Sequence, residues 1–125
     1  MGSKINTMEE FKKWVERAKR DLDTAKFLFE GKKYEESAFY SHQSIEKSLK
    51  GVLIKKSGKL LKIHDLVKLG KNVGMPNNYL VKLKELTFAY IYSRYPDVPK
   101  EDEINEKSEK FILTAEEILK WSQKQ

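Results

Sequence analysis

Two histidines, His42 and His64, are the only side chains in this 125-residue sequence whose ordinary titration lies near neutrality. His42 stands in Tyr40-Ser41-His42-Gln43-Ser44-Ile45-Glu46-Lys47, and Gln43, Glu46, Lys47 and Lys50 follow it at steps of three and four. Residues so spaced share one stripe of an α-helix. Such a stripe is either a hydrogen-bonded seam at a helix–helix or subunit contact, or one wall of a cleft holding the phosphate of a nucleotide or RNA. His64 precedes Asp65, which reads as the N-cap of a short helix with the imidazole packed over its first turn. A third cluster, Arg94-Tyr95-Pro96-Asp97, sets a guanidinium fork suited to phosphate or carboxylate beside the rings of Tyr90, Tyr92 and Tyr95. Its local alternative is a pairing of Arg94 with Asp97 while the tyrosines pack the end of the fold, and both readings stay open.

Other chemistries are poorly served. The chain has no cysteine, which excludes disulfides, thiolate metal sites and cysteine nucleophiles. Two histidines 22 positions apart, with no clustered carboxylates, make a poor metal-ligand set. There is no glycine-rich phosphate loop and no serine in a nucleophile setting, so no cofactor is expected and no catalytic residue is assigned.

The elements that must position these groups are all helical. Phe11, Trp14, Val15, Ala18, Leu22, Ala25, Leu28 and Phe29 recur at three- and four-residue steps. This predicts a helix over about residues 7–30, opened by a Thr7/Glu10 capping box and ended by Gly31. Ala38, Phe39, Ile45, Leu49, Val52 and Leu53 predict a second helix over about residues 34–56, with Gly58 just past its end. Gly51 lies inside it at a cost of roughly 1 kcal/mol relative to alanine, which a close helix–helix approach would explain. A brief helix opens at Asp65, with the run from Gly70 to Pro76 ending it. A fourth starts near Asn77 or Asn78, carries Tyr79, Leu80, Leu83, Leu86, Tyr90 and Ile91, and stops before Pro96. The last begins around residues 100–102 and runs through Ile104, Phe111, Ile112, Ala115, Ile118 and Leu119 to Trp121. No alternating strand pattern competes. The expected fold is all-α: an up-and-down antiparallel helical bundle of four long helices plus one short helix. It would occupy residues 8–123 as one domain behind a flexible stretch, residues 1–7, part of which reads as a cloning remnant.

Twenty-five basic against nineteen acidic residues leave a net charge of +6. That excess suits phosphate-bearing partners, and equally a Lys- and Glu-rich solvated surface, since no run of five or six like charges occurs. No apolar stretch approaches the roughly 20 residues of a membrane span, and no signal peptide opens the chain, so a cytoplasmic location without membrane attachment is expected.

Taken together, Ala18-Lys19-Arg20-Asp21-Leu22-Asp23-Thr24-Ala25, Tyr34-Glu35-Glu36-Ser37-Ala38-Phe39, Ser41-His42-Gln43-Ser44-Ile45-Glu46-Lys47-Ser48-Leu49-Lys50, His64-Asp65-Leu66 and Arg94-Tyr95-Pro96-Asp97 make the chain resemble the HEPN domain family. The resemblance covers about Met8 to Trp121. It implies a bundle of about five helices that usually dimerises, and whose small prokaryotic members often accompany a separate minimal nucleotidyltransferase, sometimes as a toxin–antitoxin pair. Many members are metal-independent RNases that use an arginine followed four to six residues later by a histidine. Here the positions counted on from Arg94 are Pro99, Lys100 and Glu101, and neither Arg17 nor Arg20 has a histidine at that spacing. The usual acid–base imidazole for cleaving RNA is thus absent. The expectation is a homodimeric binding module for nucleotide, RNA or a nucleotidyltransferase partner, with Arg94, Tyr95, Asp97, His64, His42, Gln43, Glu46 and Lys50 as its binding residues. The alternatives are an RNase with a non-standard residue set, such as His64 with Arg94, or a purely structural dimeric subunit.

Overall fold

The computed structural model describes residues 6–92 and 101–125, with side chains described over 6–88 and 104–125. Five helices follow in order: α1 (Thr7–Glu30), α2 (Tyr34–Ser57), α3 (Leu66–Asn72), α4 (Asn77–Tyr92) and α5 (Glu101–Gln123). The all-helical reading, with four long helices and one short, is therefore correct, and no strand occurs among the described residues.

Local chemistry differs from expectation at one helix end. The cap of α1 is Asn6, whose side chain accepts the amide of Glu9 at 3.1 Å. Asparagine is the stronger capping residue, so Thr7 becomes the first helical residue and the Thr7/Glu10 box does not form. Glu10 instead reaches forward to Lys13 at 3.4 Å. Helix α3 ends at Asn72, inside the run from Gly70 to Pro76, and Gly70 itself lies within the helix. A Cβ at Gly70 would lie 2.8 Å from Leu80 Cδ2 and 3.2 Å from Leu83 Cδ1, so this glycine lets α3 lie close against α4.

Side-chain contacts fix the topology. Ser37 and Ser44 of α2 donate to the carbonyls of Ala25 and Ala18 of α1, at 2.7 and 2.8 Å. Gly51, seven residues further on, meets Trp14 and Phe11. Serine, serine and glycine at steps of seven thus face α1 in an antiparallel pair close enough for hydroxyls to reach backbone. Helix α5 runs parallel to α2: Ser108 donates to the Tyr34 carbonyl at one end, and Lys56 sits over the Trp121 ring at the other. Helix α4 is antiparallel to α5, with Tyr79 beside Trp121 and Lys82 paired to Glu117 at 2.9 Å.

The directions are those of an up-and-down bundle, but the neighbours are unequal. Helices α1, α2 and α5 form the main body, with α2 in its middle, and α4 is an edge helix held by α3 and α5. Ile45, Leu49, Val52, Phe111, Ala115 and Ile118 pack the centre, and Leu66, Leu69 and Leu83 extend it beneath α3 and α4. Among the apolar positions read from the sequence, Phe39 is the one α2 leaves at the surface, edge-on to Tyr40 at 5.3 Å.

Candidate functional site

Helix α2 brings Glu46 and Lys50 onto one face, one turn apart, and both are buried. Their side chains form an ion pair at 2.9 Å, with each only 9% exposed. The coil between α2 and α3 then delivers His64, whose Nδ1 lies 3.0 Å from the same carboxylate oxygen, Oε2, that Lys50 meets. His64 itself is 77% exposed. Its position is set by the next residue, because Asp65 caps α3 as expected, accepting the amides of Val67 and Lys68 at 3.0 and 3.1 Å. Replacing Asp65 with alanine removes both bonds and should lower stability by about 1 kcal/mol, read from chemical denaturation.

Burial alone would push the Glu46 carboxyl up. Hydrogen bonds from His64 and Lys50, with their charges, outweigh it and hold the group below the ordinary carboxylate range. Glu46 is thus an anion near neutral pH and can only accept hydrogen bonds. The His64 Nδ1 must therefore carry the proton, which leaves Nε2 as the ring atom open to solvent. Such a ring can donate Nε2–H to a phosphate when charged, or accept a proton there when neutral.

Of the eight residues expected to bind a ligand, direct bonds join three: Glu46, Lys50 and His64. Gln43 and His42 are half-buried one turn towards the N-terminus on the same helix. Arg94, Tyr95 and Asp97 lie outside the described residues. The sequence reading missed a second tie across the body, from Lys47 of α2 to Asp21 of α1. It also missed an open groove of about 610 Å³ between α3 and α4, lined by Val67, Lys71, Leu80, Val81, Lys84 and Phe88 among others. A signal for the groove existed, since Val81 and Phe88 are apolar yet fall outside the inward set of α4.

Five helices around a parallel α2–α5 pair, with an exposed imidazole anchored on a buried ion pair, define a small all-helical domain. Comparison with known proteins then places it. The HEPN domain model matches residues 11–125, and the chain belongs to that family. It is 28% identical to "Putative toxin MJ1304" of Methanocaldococcus jannaschii, across 86% of this chain and 82% of that protein. Among solved structures it is similar to ST0689, described as an archaeal HEPN homologue, with 30% identity, 91% of this chain and 95% of that chain covered, and a TM-score of 0.72. The fold is also shared with TT1696 from Thermus thermophilus, at 23% identity, 92% and 97% coverage and a TM-score of 0.78. Among the described residues, no helix is long and apolar enough to cross a membrane.

Proposed function

We propose that this chain is a homodimeric HEPN binding module of a toxin–antitoxin-like pair, and that it holds the phosphate of a nucleotide or RNA at His64. The observation that carries the reading is the anchoring of an exposed imidazole, through Nδ1, on the buried Glu46–Lys50 pair. An ordinary surface histidine has no fixed orientation, whereas this one presents Nε2 in a set direction. The toxin name of the Methanocaldococcus relative supports the biological setting, and the net charge of +6 favours phosphate. In this reading Glu46 and Lys50 orient His64, His42 and Gln43 extend the wall, Arg94 contacts phosphate and Tyr95 stacks beside it, with Asp97 positioning the arginine. A minimal nucleotidyltransferase is the proposed protein partner.

The test is a titration of the purified protein with nucleotides and short RNA at low and moderate salt, followed by a gel of the RNA. Saturable binding, weakened about tenfold by His64→Ala and falling with salt, is the expected result. Binding that His64→Ala leaves unchanged removes the histidine from the site. A second reading rests on the same geometry, because a carboxylate-held imidazole is also an acid–base pair. Metal-independent cleavage lost in His64→Ala would establish that activity in place of binding alone.

A further inference from the structure

Helices α3 and α4 are joined by residues 73–76 and lie side by side, at a distance that Gly70 sets. With no side chain there, Leu80 of α4 comes close to α3 and floors the groove between the two helices. Half-buried Val67 on α3 and exposed Val81 on α4 continue the apolar lining. At about 610 Å³ the groove lies within the roughly 300–1,000 Å³ usual for small-molecule sites. It is also short, because α3 has only seven residues and spans about 10 Å. Each wall adds one exposed lysine, Lys71 from α3 and Lys84 from α4. Neither has an acidic partner among the described residues, whereas Lys82, on the opposite flank of α4, pairs with Glu117. Asp65, which also lines the groove, stands at the other end of α3 from Lys71, where it accepts the amides of Val67 and Lys68. Two like charges thus flank an apolar floor, and no anion among the described residues pairs with either.

We infer that the groove between α3 and α4 binds a small amphipathic anion, a hydrocarbon chain or ring that ends in a carboxylate. Its body lies against Val67, Leu80 and Val81, and its carboxylate is held by Lys71 and Lys84. Charge decides the sign of the ligand, since an anion relieves the repulsion between the lysines and a cation adds to it. The lining decides its body. Apart from Asn77 and Thr87, no uncharged polar side chain lines the groove. A nucleotide would therefore press the polar edges of its base and sugar against valine and leucine, and hydrogen bonds lost in that way are costly. Size decides the class. A stable protein contact needs about 800 Å² on each side, which a wall of two helical turns does not supply by itself. The site is separate from the His64 imidazole and does not rest on the function proposed for that residue.

Isothermal titration calorimetry of the full chain with octanoate tests this. Octanoate should bind saturably at one site per chain. Octanol, with the same body and no charge, should bind about tenfold more weakly, and octylammonium should not bind. Lys71→Glu and Lys84→Glu should each weaken octanoate about tenfold, and the double variant should lose octanoate and take up octylammonium instead. Both lysines are exposed, so circular dichroism should show an unchanged helix content in these variants. His64→Ala should leave octanoate binding as it is, which keeps this result independent of the phosphate titration. Octanoate that does not bind, or binds no better than octanol, overturns the inference. So does binding indifferent to both lysine substitutions, which places the ligand elsewhere. Displacement of octanoate by AMP overturns the preference for a hydrocarbon body. A mass in solution that falls on Lys84→Glu, without octanoate binding to the wild type, gives the groove to a second copy of the chain and overturns the small-molecule reading.

Discussion

Replacing Glu46 with alanine should cost about 3–5 kcal/mol, a large share of the roughly 5–15 kcal/mol that holds a domain of this size together. The loss does not measure the strength of the Glu46–Lys50 bond. It arises because Lys50, with a side chain only 9% exposed, is left with its charge and without its partner. Two further variants check this origin. Glu46→Leu combined with Lys50→Met removes both charges and keeps the volume apolar, so it should recover most of the stability lost by Glu46→Ala. His64→Ala should leave stability nearly unchanged, because that ring is mostly in water. Denaturant midpoints of the four proteins give the comparison. Acid supplies an independent check. The Glu46 carboxyl is held below its ordinary range in the folded state. Its contribution is therefore fully present above the unfolded-state value and is lost as pH falls through the folded one. The wild type should lose stability on the acid side of the carboxylate range, and Glu46→Gln, already weaker at neutral pH, should show a shallower decline there.

The second large effect is expected at Gly51. A Cβ there would stand 2.9 Å from Trp14 Cβ and 3.4 Å from Phe11 Cδ1. The nearest atom is the root of a side chain, so rotation of the tryptophan cannot relieve the clash. Helices α1 and α2 would have to separate, which would also stretch the bonds of Ser44 and Ser37 to the α1 backbone. Gly51→Leu should therefore cost about 3 kcal/mol or more. Gly51→Ala should cost less, because alanine regains roughly 1 kcal/mol of helix propensity. Thermal melts of both variants decide the matter, and a Gly51→Leu protein as stable as wild type would falsify the close approach.

The same two residues show how far the sequence could be read. Glu46 and Lys50 are one helical turn apart, so their pairing follows from spacing alone. The cost of a glycine in mid-helix likewise points to a tight contact, though not to which helix makes it. His64 is different. It meets Glu46 across eighteen positions because of the path taken by the coil over residues 59–65, and coil has no periodicity to read. Asp65 was legible as a cap, yet a cap fixes where a helix starts and not what the preceding ring touches. Alternation of directions follows from four helices joined by short connections, whereas the adjacency of α2 and α5 does not. The one clue was in α2, where Ile45, Leu49, Val52, Leu53 and Ile54 are all buried and spread around the helix. A helix apolar on several sides has several neighbours, but the pattern does not say which.

The central place of α2 bears on how the protein is made. Its neighbours α1 and α5 lie at opposite ends of the chain. During synthesis the α1–α2 hairpin is complete once Ser57 has emerged, with Ser37 and Ser44 in reach of the α1 carbonyls. The side of α2 destined for α5 stays bare until Gln123 has been added, a delay of several seconds at roughly 5–20 residues per second. A nascent hairpin with an uncovered apolar side is the species most open to wrong association, so the ribosome-bound stage, more than the finished fold, is where chaperones have a substrate.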